Sequence, residues 1–205
     1  MKKIILSAVA VFAFGFTNAQ DVKFGGKAAL NIANLTGDIE ENSPLVGFQV
    51  GAFAEFKLSD KFAFQPELMY STQGCKQSAD ESFEGYDVSA EATTKLAYLN
   101  LPLMFKYYAN PKFSVEFGPQ IGFLLSAEMD AEVTASFEGE TISESESEDI
   151  KDEVSAVDFG LNFGLGYDFT EKLSAGVRYN LGLANIYDVE GDDDTNVKNS
   201  VFSVS

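Results

Sequence analysis

Seven charged side chains occupy positions from which they could act together: Lys27, Glu55, Lys57, Glu67, Lys106, Glu116 and Arg178. Each lies in a segment that alternates between apolar and small or polar residues, and each takes the polar phase. Glu67 and Glu116 have the residue type of a general acid and base. On separate segments with basic residues nearby, they read instead as partners of Lys27, Lys106 and Arg178 in a salt-bridge and hydrogen-bond network. Asp188, Glu190, Asp192 and Asp194 place a carboxylate on every second residue, as calcium loops do, but the closing Glu of an EF-hand is missing. They read as a weak cation-binding loop, with no specific metal implied. Gly164 and Gly166 have the spacing of nucleotide-binding glycines, yet no helix follows and the third glycine is absent. Relief of crowding is the better account of them. No catalytic set and no cofactor is expected.

Composition narrows the chemistry further. The 205 residues include no histidine, no tryptophan and a single cysteine. This excludes Ser-His-Asp and Cys-His nucleophile systems, His-ligated metals, cysteine zinc clusters and a disulfide framework. A formal charge of -18 argues against a nucleic-acid partner, which needs a basic patch. With 45% hydrophobic residues and 19 Phe, the bulk of the chain is not of disordered composition. Cys75 has no partner for a disulfide.

The elements that hold these residues start after a leader. Met1-Lys2-Lys3 is basic, Ile4 to Phe16 is an apolar run broken only by Ser7 and Gly15, and Thr17-Asn18-Ala19 offers a small-residue cleavage site. Residues 1–19 read as a secretory signal peptide, leaving residues 20–205 as one exported domain. No later segment supplies the roughly 20 apolar residues of a membrane-spanning helix.

Past the leader, apolar residues recur at every second position. Phe159, Leu161, Phe163, Leu165, Tyr167 and Phe169 oppose Asp158, Gly160, Asn162, Gly164, Gly166 and Asp168. Only a β-strand separates them this way. The same pattern covers residues 24–32, 48–58, 62–71, 99–107, 113–123 and 173–183, and more weakly 197–205, giving eight strands. Pro66, Pro102 and Pro119 each remove a ladder donor, and point to bulges or strand ends. The second face of each strand is mostly Gly, Ser, Asn, Gln and Ala with about one charge, too sparse for an aqueous exterior but suited to the narrow interior of an eight-stranded barrel. The Phe-rich face is therefore placed in lipid, where only a closed barrel satisfies every backbone group.

The connections alternate strictly between short and long. Residues 58–61, 108–112 and 168–172 are tight turns; residues 34–44, 76–95, 127–156 and 185–196 are long and carry 24 of the 32 acids. Ser143–Asp149 within them is low-complexity and is expected to be mobile. Phe56, Phe62, Tyr107, Phe113, Tyr167 and Phe169 gather beside the tight turns as an interfacial girdle. The fold expected is an all-β, eight-stranded antiparallel up-and-down transmembrane barrel, with short periplasmic turns, both termini at that rim and long acidic extracellular loops.

Several motifs carry a family likeness. Gly25 to Asn31 (GGKAALN), Phe64 to Leu68 (FQPEL), Tyr98 to Leu103 (YLNLPL), Phe117 to Gly122 (FGPQIG) and Gly176 to Gly182 (GVRYNLG), with the Ala19-Gln20 junction, resemble the PorT-like outer-membrane β-barrel family of Bacteroidota. The resemblance covers the mature chain and implies a small barrel similar in architecture to OmpA-type and opacity-type proteins, without implying an activity. One departure is the end: the chain stops at Val204-Ser205 rather than on an aromatic residue, so the last strand reads as clipped and its closure on the first is in doubt.

The function expected is non-enzymatic: a monomeric barrel in the outer membrane, meeting lipid and presenting acidic loops to divalent cations, basic surfaces, or envelope and secretion proteins. A narrow pore for small solutes or ions is the alternative. A soluble exported barrel with its Phe face turned inward onto an apolar ligand is the third.

Overall fold

A computed structural model describes residues 22–39, 42–83, 86–137, 140–189 and 195–205. The leader and three of the four carboxylates of the expected cation loop, Glu190, Asp192 and Asp194, lie outside these residues. Among the described residues nine strands form: β1 (Val22–Gly37), β2 (Asn42–Lys57), β3 (Phe62–Phe83), β4 (Tyr86–Tyr108), β5 (Phe113–Phe137), β6 (Glu140–Asp149), β7 (Val157–Asp168), β8 (Ser174–Gly182) and β9 (Val197–Val204). Eight of them close a ring of antiparallel neighbours, β1-β2-β3-β4-β5-β7-β8-β9, and β6 is an addition that pairs only with the upper part of β5. Closure does occur: β9 pairs with β1 from Leu30 to Gly37 and with β8 from Val177 to Leu181.

Which face points outward is settled by exposure. Phe105, Phe117, Phe123, Phe159 and Phe163 are all about half exposed, whereas Glu67 and Asn162 are 2% and 1% exposed. The apolar phase is the outside and the polar phase the inside, which overturns the soluble arrangement. Outward rings meet across strands, Phe62 with Tyr107 and Phe64 with Phe105 near one rim, and Phe117 with Phe163 further up, at centroid distances of 5.1–5.2 Å.

The tight turns share one device. Ser59 Oγ accepts from the backbone N–H of Lys61 and Phe62, Asn110 Oδ1 from Lys112 and Phe113, and Thr170 Oγ1 from Lys172 and Leu173. A short polar side chain thus stands in for backbone and reverses the chain within four residues.

Two expectations need correction. Residues 76–95 and 127–156 are largely strand rather than loop: β3 and β4 pair as far as Phe83 and Tyr86, and Ser143–Asp149 lies in β6, paired with β5. A ladder needs no apolar face to satisfy its backbone, and Ser, Thr and Val there suit extended conformation, so strand persists beyond the apolar band. The prolines mark neither bulges nor ends. The ladder lapses for two residues beside each of Pro66, Pro102 and Pro119 and resumes in the same register, as in Pro66↔Leu103 followed by Met69↔Asn100. The one-residue shifts lie elsewhere. One is between Pro44 and Gln49 on β2; the other, at Leu125 on β5, moves the inward phase from Leu124 to Ala127.

Candidate functional site

The interior is built in three layers. Nearest the tight turns is a continuous chain of charges. Arg178 on β8 donates Nη1 to Glu67 Oε2 and Nη2 to Glu67 Oε1, both at 2.8 Å, and Nη2 also to Glu116 Oε2 at 2.8 Å. Lys106 Nζ lies 3.5 Å from Glu116 Oε1 and donates to Glu55 Oε2 at 3.0 Å and Gln65 Oε1 at 3.2 Å. Lys27 Nζ is 3.5 Å from Glu67 Oε1, Gln65 Nε2 donates to that oxygen at 2.7 Å, and the Tyr108 hydroxyl donates to Glu55 at 2.9 Å. Cations and carboxylates alternate, so each desolvated charge faces its opposite. Lys57, which shares the polar phase, ends β2 at the rim and is exposed.

Small residues make the space. A Cβ on Gly166 would stand 2.7 Å from Ser114 Oγ and 3.2 Å from Glu116 Oε1, and one on Gly164 would stand 3.0 Å from the Val177 carbonyl. On the other side, Phe53 turns inward over Gly25, whose Cβ would fall 2.4 Å from the ring.

Above the charges runs a belt of amides. Asn180 donates to Asn162 at 3.1 Å, Asn162 to Gln120 at 3.2 Å, and Asn31 to Ser71 at 3.0 Å. A cavity of only about 10 Å³, lined by Gln73, Asn100, Gln120, Arg178 and Asn180 among others, remains between the two layers. That is room for about one water.

The third layer is apolar. Leu35, Cys75, Leu96, Tyr98, Leu124, Ala127 and Val197 pack with Ile150 and Ile186, which descend from the β6–β7 and β8–β9 connections. Those connections hold each other across the opening: Ser155 N–H donates to Ile186 O, Asp188 N–H to Glu153 O, and Val154 bridges Tyr187. Asp188 thus belongs to this cover. Cys75 is fully buried in it.

Sequence reasoning proposed Lys27, Glu55, Glu67, Lys106, Glu116 and Arg178 as one network, and the structure brings all six together. It missed the apolar cover. Ile150 and Ile186 were the available signal, since each stands as a large apolar residue in an acidic connection.

A closed antiparallel ring, apolar outside and ion-paired inside, defines a small transmembrane β-barrel of the outer-membrane kind. The chain belongs to the outer membrane protein beta-barrel domain family, whose model matches residues 18–188. It is accordingly an outer-membrane protein. Solved structures similar to it include Neisserial surface protein A, at 15% identity and TM-score 0.41 over 89% of this chain and 95% of that one. Ail, the attachment invasion locus protein of Yersinia pestis, solved with the heparin analogue sucrose octasulfate, is similar at 12% identity and TM-score 0.34, over 90% of this chain and 95% of that one. CarO of Acinetobacter baumannii follows at 10% identity and TM-score 0.32, covering 86% and 94%. No curated protein sequence matches this chain.

Proposed function

We propose that the barrel is a surface-interaction protein of the cell envelope, working through the part of β3–β6 that stands beyond the apolar band, with long connections extracellular and tight turns periplasmic. The observation that carries this is an inversion of polarity along β4 and β5. Within the band the outside is Phe and Leu. Beyond it the same outward phase becomes Glu91, Thr93 and Lys95 on β4 beside Glu128, Asp130, Glu132 and Thr134 on β5, with Ser143, Ser145 and Ser147 on β6. The inward phase becomes Val88, Ala90 and Ala92 beside Met129, Ala131, Val133 and Ala135, flanked by Ile142, Glu144, Glu146 and Glu148. An antiparallel sheet with one solvated face and one apolar face is built to be covered on the latter, and the acidic flank favours a basic partner.

Residues 1–19 serve as the export signal in this reading, and the monomeric barrel meets outer-membrane lipid along its apolar band. Membership of the PorT-like group is supported by where its motifs fall. Lys27, Asn31, Gln65, Glu67, Asn100, Gln120, Arg178 and Asn180 are all buried or largely buried in the interior. An enzymatic role is disfavoured because Glu67 and Glu116 are both committed to one guanidinium. The pore alternative is disfavoured by the ion-paired layer and its apolar cover. Adhesion, envelope integrity and an accessory role in secretion remain within the proposal.

The test is crosslinking in intact outer membranes with a photoreactive residue at Val133, against the same residue at the lipid-facing Phe123. The reading predicts a discrete protein adduct at Val133 alone. Identical adducts at both sites, or none at Val133, would sink it.

A further inference from the structure

Among the described residues seven charged side chains lie inside the barrel away from its rims: Lys27, Lys106, Arg178, Glu55, Glu67, Glu116 and Asp158. Three cations and three of the carboxylates pair with one another in the layer already described. Asp158, 3% exposed, remains, a carboxyl group with no matching cation among the described residues. Its place is at the start of β7, beneath the apolar cover. Buried charges in proteins are paired or bind metal, because desolvating a lone carboxylate is very costly.

Asp158 is surrounded by the side chains of Asn100, Tyr98 and Asn199. Gly122 on β5 lies directly between Asp158 on β7 and Asn100 on β4 in the strand register. A Cβ on this glycine would fall 2.7 Å from Asn100 Oδ1, 3.4 Å from Tyr98 Cδ1 and 3.5 Å from Asp158 Cβ, so the Asn100 amide oxygen lies over the space it leaves, with Asp158 beside it. Asn199 arrives from β9, donating Nδ2 to Asp158 Oδ2 at 3.0 Å and standing 3.5 Å from the Tyr98 hydroxyl. Three oxygens of this group, Asp158 Oδ1, Asn100 Oδ1 and Asn199 Oδ1, are buried without a hydrogen-bond donor. Asn100 is 4% exposed and Asn199 1%.

We infer that this pocket binds a hard monovalent cation of sodium's kind, held by the Asp158 carboxylate and the amide oxygens of Asn100 and Asn199. One formal charge balances one carboxylate. All-oxygen donors select hard cations over transition metals, which favour imidazole and thiolate. Among the described residues no three His, Cys, Asp or Glu side chains converge, so the donor set lacks the carboxylates that a divalent site gathers. The apolar cover of Leu96, Leu124, Val197, Ile150 and Ile186 shields the pocket from water and strengthens the attraction.

The experiment is thermal unfolding of detergent-folded protein at constant pH and ionic strength, in sodium chloride and in N-methylglucamine chloride, read by the gel shift between folded and unfolded forms. Sodium at ten times its dissociation constant is expected to raise the folded-to-unfolded ratio about elevenfold. Asp158→Asn keeps shape and hydrogen bonding but removes the charge, and is expected to abolish that difference. If Asp158→Asn does not fold, sodium-23 relaxation of the unmodified protein, with Glu132→Gln as a surface control, reads the same site: saturable broadening retained in the control supports it. An unmodified protein that melts identically in the two salts overturns the inference. So does a stability that follows pH but not sodium, which would make a proton the neutralising cation.

Discussion

Arg178 and Glu67, 111 residues apart in sequence, meet through two parallel hydrogen bonds of 2.8 Å in the middle of the barrel. The pair ties β8 to β3 across the lumen, between strands that are not neighbours in the sheet. Planar bidentate pairing fixes orientation as well as distance, which a lysine could not do.

Removing one partner of a buried pair strands the other charge. Arg178→Met is therefore expected to cost about 3–5 kcal/mol, leaving Glu67 with Lys27 alone and Glu116 with Lys106 alone. Arg178→Met combined with Glu116→Leu should recover part of that loss, because Glu67 then keeps Lys27, Lys106 keeps Glu55 and no carboxylate is left over. Urea unfolding of the detergent-folded barrel measures both. A single substitution costing less than about 1 kcal/mol would place the pair with exposed salt bridges and contradict its burial.

The turn residues should behave as small, separate contributions. Ser59→Ala, Asn110→Ala and Thr170→Ala each delete one acceptor serving two backbone N–H groups. Each is expected to cost about 0.5–1.5 kcal/mol, with solvent able to take over in part. The three sites lie in different turns, so their effects should add to within about 0.5 kcal/mol. Equilibrium unfolding of the triple variant against the singles checks this.

Much of this was legible because a strand's period of two is an unambiguous signal when one phase is Phe and the other Gly or Asn. The β7 segment alone gave its face assignment. Lys106 and Glu116 could be placed inside because they share a phase with Gly and Met in strands whose opposite phase is aromatic. The strand extensions were illegible because the apolar phase opposite Glu91 and Glu132 is mostly alanine, which is a weak strand signal in a segment dense with acids. The bulge at Leu125 was hidden too, since one extra residue in an apolar run changes the phase without changing the composition. Ile150 and Ile186 stand out locally as apolar residues among acids, but what they pack against is distant in sequence and no local pattern reports it.

The exposed pair on the extension gives a pH window. Lys95 Nζ donates to the Asp130 carboxylate across β4 and β5. That hydrogen bond holds Asp130 below the usual carboxylate range and Lys95 above the usual amine range. A lowered carboxylate contributes stability above its unfolded value and loses it as pH falls through the folded one. A raised amine contributes below its unfolded value and loses it as pH rises through the folded one. The contribution is thus flat between roughly pH 4 and pH 10 and declines on both sides. Comparing protease nicking of the extension in the parent and Lys95→Met across that range tests it. The difference should shrink with added salt, since both groups are exposed; an effect confined to neutral pH would contradict the assignment.

Ion passage would have to overcome two barriers in series, and that shapes the last expectation. In the charge layer, Lys106 and Arg178 fill the section between Glu55, Glu67 and Glu116, and a passing ion must displace a paired group. In the cover, Ile150 and Ile186 close the other end with apolar surface that a hydrated ion does not wet. Relieving one barrier leaves the other in place. The unmodified barrel in a planar bilayer should therefore show no steady conductance steps, and Arg178→Ala or the pair Ile150→Gly and Ile186→Gly should each remain closed. Arg178→Ala with Lys106→Ala, Ile150→Gly and Ile186→Gly together should open resolvable steps, selective for cations because Glu55 and Glu116 are then without a cation while Glu67 keeps only Lys27. Steady steps from the unmodified protein would show that the layers part readily, and would return the pore reading to first place.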